Sequence, residues 1–120
     1  MSRKVSYGLA ISEEQLGDGA PVLLQGGLEK AMKRAAEMDF DSVELHIREP
    51  GKFCARKLTE TAKKNNIRIA AVGTGLEYSL NGFNLTSPDK NLRDKMSLRL
   101  KEHIDFVAKR PLSNAFEVIT

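Results

Sequence analysis

Seven consecutive residues, Ser42-Val43-Glu44-Leu45-His46-Ile47-Arg48, alternate without exception between polar and branched apolar side chains, and Glu49-Pro50-Gly51 follows them. Successive side chains of a strand point to opposite faces. One face of this strand is therefore Val43, Leu45 and Ile47, and the other is Ser42, Glu44, His46 and Arg48. A strand covered by helices on both sides reads instead as a near-continuous apolar run, because an unpaired charge under a helix is strongly destabilising. The stretch demands a fold in which one strand has an apolar face and, behind it, a face that can hold an acid, an imidazole and a guanidinium.

The flanking residues predict alternating strands and helices. Val5–Ile11 reads as a strand with a bulky face (Val5, Tyr7, Leu9, Ile11) and a nearly bare one (Ser6, Gly8, Ala10). A connection rich in breakers follows, Gly17-Asp18-Gly19-Ala20-Pro21 and then Gly26-Gly27. Leu28, Ala31, Met32, Ala35 and Ala36 recur at helical spacing and predict a helix over Leu28–Met38. A second helix is predicted over Phe53–Asn65, burying Ala55, Leu58 and Ala62 with Cys54 beside them. The strand Ile67–Val72 runs into Gly73-Thr74-Gly75, and Leu76–Thr86 reads as a polar connection containing Asn81-Gly82. Ser87 is the expected N-cap of a third helix, with Pro88 at its first position and Asp89 in its first turn. That helix is expected to run to Arg110 with Leu92, Met96, Leu100, Ile104 and Val107 on its apolar stripe, to stop at Pro111, and to be followed by a short strand at Phe116–Ile119.

Composition narrows the functional classes. The 120 residues fit a single domain, and 41% hydrophobic with 29% charged residues is a globular balance. The 19 basic residues exceed the 16 acidic ones by a scattered +3, without the clustered stripe a nucleic-acid surface needs. The apolar run after Arg3 and Lys4 stops by Ile11, too short for a signal peptide or a membrane span. One cysteine, Cys54, excludes an intrachain disulfide framework. The expectation is a cytoplasmic protein with no nucleic-acid and no membrane partner, its Cys54 a buried thiol.

The order β-α-β-α-β-α-(β) gives an α/β fold with a parallel sheet and right-handed crossovers. Helix-to-strand connections are short, whereas two of the three strand-to-helix connections are long and glycine-rich. Long loops in compact domains are usually functional, and parallel α/β folds bind ligands at the carboxyl ends of their strands. A polar second face and a bare first strand suit the lumen of a barrel better than an open, doubly covered sheet. The expected architecture is a partial (β/α)8 TIM barrel: three βα units and a fourth strand.

Strand one, the segment Phe40–Pro50, the strand Ala70-Ala71-Val72-Gly73-Thr74-Gly75 and the run Leu85-Thr86-Ser87-Pro88-Asp89 resemble, in pattern and order, the N-terminal part of the xylose-isomerase-like TIM barrels, and among these the sugar phosphate isomerase/epimerase group. The resemblance spans about Val5 to Lys109. It implies metal-assisted isomerisation or epimerisation of a small sugar or sugar phosphate through an enediolate, with Mn, Mg, Co or Zn as the divalent metal of the full-length family. A complete barrel has roughly 250 residues, and the family's metal ligands and acid–base glutamates sit mainly on later strands. The chain is therefore expected to be an N-terminal fragment, inactive by itself, with residues 110–120 as a divergent tail.

Within that reading Glu44 and His46 are the candidate catalytic pair, able to orient a sugar hydroxyl or relay a proton; the plainer alternative is a satisfied polar pair on a concave sheet face. Arg48, Gly73, Thr74 and Gly75 are the candidate substrate-binding residues, Arg48 for a phosphate and the glycines for close backbone approach. No metal ligands are assigned, because a catalytic zinc site wants three protein donors and the only other histidine, His103, is expected on the third helix, outside the barrel. The open barrel face predicts a homo-oligomer in which copies cover one another. Three rival functions accompany this one: a non-enzymatic interaction module, a metal-dependent isomerase whose site is completed between subunits, and, ranked last, a DNA-repair endonuclease-like binder.

Overall fold

A computed structural model, which describes residues 5–20, 22–109 and 117–119, shows the chain as β1 (Gly8–Ser12), α1 (Leu28–Glu37), β2 (Ser42–His46), a single 3-10 turn (Pro50–Lys52), α2 (Ala55–Lys64), β3 (Arg68–Gly73), α3 (Gly75–Asn81), α4 (Lys90–Ala108) and β4 (Glu117–Ile119). The expectations that involve Pro21, Arg110, Pro111 and Phe116 lie outside the described residues.

The four strands form one parallel sheet in the order β1-β2-β3-β4. A flavodoxin-type sheet would place its first strand between the second and third. Here every crossover steps to the next strand in the same direction, and right-handed crossovers of that kind put their helices on one side. The core agrees: Leu28, Ala31, Met32 and Ala35 of α1, Ala55, Leu58 and Ala62 of α2, and Phe106 of α4 join Leu9, Ile11, Val43, Leu45, Ile47, Ile69 and Val72 in a single cluster. The alternation of β2 is thus realised, with Val43, Leu45 and Ile47 wholly buried while Glu44 and His46 stand half-buried on the opposite face.

Two identical turns set the helix-to-strand spacing. After α1, Phe40 N–H donates to Ala35 O and Asp39 N–H to Ala36 O; after α2, Ile67 N–H donates to Ala62 O and Asn66 N–H to Lys63 O. Asp39 and Asn66 take the left-handed conformation (φ 64° and 55°) that this helix end requires. An Asp and an Asn, rather than glycines, take the left-handed position at these two ends.

β3 departs from strict alternation by a bulge. Val43 pairs with Ile69 but Glu44 with Ala71, so Ala70 is the extra residue. The bulge re-phases the strand: Ile69 and Val72, three residues apart, both face the core, and Gly73 lands beside His46.

Several expectations are corrected. The first strand starts at Gly8, because Tyr7 is engaged at the sheet's amino rim, its N–H donating to Asp41 Oδ2 at 2.8 Å; Val5 and Tyr7 are mostly exposed. Part of the supposed polar connection after Gly75 is the helix α3, closed by Gly82 in the left-handed conformation (φ 71°). α4 is capped by Asp89, whose side chain accepts from Asn91 N–H at 2.9 Å, and not by Ser87, which accepts from Asp89 N–H. Cys54 is exposed at the N-cap of α2 rather than buried. Ile104, assigned to the buried stripe of α4, is 56% exposed, while Met96, His103 and Phe106 are the buried residues. Among the described residues no helix is long and apolar enough to cross a membrane.

Candidate functional site at the carboxyl ends of the strands

The face of the sheet opposite the core is built from a small-large-small pattern. Register places Ala10 and Ala71 on either side of Glu44, and Ser12 and Gly73 on either side of His46. The two long side chains therefore have room to lie across the sheet, and Glu44 Oε1 meets His46 Nε2 at 2.7 Å. Gly73 is a requirement of this arrangement. A Cβ there would sit 2.7 Å from both Cε1 and Nδ1 of His46. Gly73 thus makes room for the candidate imidazole, a role more specific than closing a strand.

Arg48, two residues beyond β2, points into a second cluster. Its guanidinium lies 3.5 Å from Glu14 Oε1 and 3.3 Å from Glu49 Oε1, and its NH1 donates to Asn81 Oδ1 at 3.5 Å, while its buried Nε–H has no acceptor. The Lys52 ammonium beside Glu49 holds that carboxyl below its usual range. Thr74 is buried at the N-cap of α3, and Gly75 is exposed as its first residue with open space where a side chain would go. The candidate binding residues consequently share the carboxyl end of the sheet but divide between two clusters.

The second cluster contains residues that the apolar periodicity passes over. Glu77 on α3 is 0% exposed. Arg99 Nε of α4 stands 2.7 Å from its Oε2, yet the contact is off the N–H axis, so this buried oxygen lacks an aligned donor. Asn81 Nδ2 donates weakly to Oε1 at 3.4 Å, which makes the Asn81 amide a bridge between Glu77 and Arg48. Arg99 also donates to the Arg48 carbonyl at 3.2 Å and lies over the Phe83 ring at 5.7 Å. Burial pushes the Glu77 carboxyl up to about 7, against the opposing pull of Arg99. The side chain is fully covered.

His103 lies on α4, the helix expected to carry it, and is wholly buried. Its Nδ1 lies 2.8 Å from Arg99 O and its Nε2 3.1 Å from Ile47 O. Past the last residue of β2 the carbonyls of Ile47 and Arg48 are met by His103 and Arg99, so α4 caps the end of the strand with polar groups. A strongly perturbed carboxyl beside two arginines at strand ends is the kind of signal that marks functional sites. The sequence pattern does not flag it: Glu77 lies in a segment that reads as a polar connection, and Arg99 and His103 fall off the apolar stripe Leu92, Met96, Leu100, Ile104 and Val107.

Among the described residues no three His, Cys, Asp or Glu side chains gather as a metal site. Glu44 and His46 contribute one carboxylate and one imidazole, engaged with each other, which falls short of the three donors a catalytic ion needs. No family model and no curated protein matches the chain.

Proposed function

We propose that the chain forms the first strands of a (β/α)8 barrel of the xylose-isomerase-like kind and that its Glu44–His46 face is one wall of a site for a small sugar or sugar phosphate. The observation that carries this reading is the sequential strand order with the helices' core residues on one side, which leaves an acid–imidazole pair on the other at the carboxyl end of its strand. Only a barrel puts that face toward a lumen, where its kind of chemistry is used.

In this reading Glu44 orients the His46 ring, and His46 passes a proton to or from a sugar hydroxyl or the carbon next to a carbonyl. Arg48, in the neighbouring cluster beyond the end of β2, supplies positive charge suited to a phosphate. The remaining wall of a closed site comes from further strands or from a second copy. In the enzymes of this type a divalent ion polarises the sugar carbonyl; the two donors here do not complete a site for one, so no step is assigned to it.

Titration of the isotopically labelled chain with ribulose 5-phosphate, alongside inorganic phosphate, tests the reading by NMR. Shifts are expected at Glu44, His46, Arg48 and Gly73–Gly75, with the sugar phosphate moving Glu44 and His46 and phosphate alone moving only Arg48. Silence at these residues up to ~10 mM ligand, weaker than any useful recognition, would overturn it.

A further inference from the structure

We propose that Glu77 is a proton-controlled clasp between α3 and α4: with the carboxyl neutral α3 stays docked, and loss of the proton favours its opening away from the carboxyl end of the sheet. The inference is independent of what the site binds.

The geometry is that of a small helix held by few groups. Seven residues are too few for a helix to be stable unaided, and of the described side chains of α3 only Leu76 and Glu77 are buried. Tyr78 and Leu80 are exposed. The carboxyl of Glu77 is therefore a principal anchor, and it sits with one oxygen lacking an aligned donor. Its charged neighbours come from every element packed around it. α4 presents Arg99 and, behind it, Glu102, whose carboxylate is 3.7 Å from Arg99 Nε. The end of β2 presents Arg48 and Glu49, and through Arg48 also Glu14 beyond β1. His103, one turn along α4 from Arg99, faces the Ile47 carbonyl. Two arginines favour the carboxylate and two glutamates oppose it, and burial is the largest influence.

Burial disfavours the ionised form, and the folded protein holds the Glu77 proton to about pH 7 while an exposed glutamate releases it near 4.5. The docked state binds the proton more tightly than the opened state. Docking is strongest below pH 4.5, weakens as pH rises from 4.5 to 7, and is constant above that. A full shift over this window corresponds to an opening equilibrium larger by on the order of a hundredfold. Because α3 begins at Gly75, directly after Thr74, its opening would widen access to the end of β3.

Native-state hydrogen exchange of the α3 amides between pH 5 and 8.5, corrected for the base catalysis of intrinsic exchange, tests the clasp. The opening equilibrium is expected to rise at least tenfold from pH 5 to pH 8 in the wild type and to be flat in Glu77→Gln, which keeps the uncharged state. A direct titration of the Glu77 carboxyl carbon by NMR in the unmutated chain supplies a readout that does not depend on the variant folding; a midpoint near 7 is expected. A flat profile in the wild type, an unchanged slope in Glu77→Gln, or a carboxyl titrating below pH 5.5 would each overturn the proposal.

Discussion

Arg99→Met is expected to lower stability by about 2 to 3 kcal/mol at pH 8 and by about 1 to 2 kcal/mol at pH 5. The guanidinium supplies the nearest positive charge to the buried Glu77, donates to the Arg48 carbonyl, and stacks on Phe83. Methionine fills much of the volume but leaves the carboxyl with only the weak Asn81 contact and Arg48, so the ionised form loses its nearest support and the group keeps its proton to higher pH. The pH dependence follows from the raised Glu77 carboxyl, at about 7 already with Arg99 present. Removing the arginine raises it further, so below pH 7 the group is neutral in the folded protein and its desolvation cost disappears. What remains at pH 5 is the lost hydrogen bond to Arg48 O and the lost ring contact, about 1 to 2 kcal/mol together. Urea unfolding at the two pH values measures both numbers. An equal loss at pH 5 and pH 8 would mean that the pair matters for its packing and not for its charge.

Gly73→Val is expected to lower stability by about 2 to 3 kcal/mol and to separate His46 from Glu44. A single Cβ at Gly73 falls 2.7 Å from two atoms of the His46 ring, and valine adds two methyls. The ring is the end of a side chain and half-buried, so it can swing toward solvent; the cost is therefore limited, but the 2.7 Å contact with Glu44 does not survive the movement. A second substitution separates the two effects: in a His46→Ala background Gly73→Val should cost about 1 kcal/mol or less, since the clash is gone. Full cost in that background would place the strain in the backbone of β3 instead of against the imidazole.

How much of this was legible beforehand depends on which residues wrote it. β2 announced itself because its alternation is strict and both faces are chemically distinct, and α1 and α2 because their buried stripes are purely apolar. The bulge in β3 was not legible: Ile69, Ala70, Ala71 and Val72 are all apolar, so no pattern shows where the phase slips. α4 misled for the opposite reason. Leu92, Leu100 and Ile104 make a plausible stripe, yet the face that meets the sheet carries Arg99 and His103, because the open carbonyls at the end of β2 need donors more than they need another leucine. Glu77 was hidden by the same logic. A buried glutamate in a polar, Asn-Gly-containing segment reads as a surface loop until Arg99, 22 positions later, is brought to it. Of the candidate site, Glu44 and His46 could be paired from spacing alone, since residues two apart share a strand face. The role of Gly73 could not, because it depends on a register set by the bulge.

The central claim is that β2 has one face under helices and one face, bearing Glu44 and His46, that is not. Relaxation of side-chain protons by a soluble gadolinium chelate, read residue by residue along β2 in dilute protein, measures this directly. Strong enhancement at Glu44 and His46, with the methyls of Val43, Leu45 and Ile47 untouched, is the alternating profile expected. Glu44 and His46 shielded as thoroughly as Val43 and Leu45 would contradict it and put a second layer over the sheet.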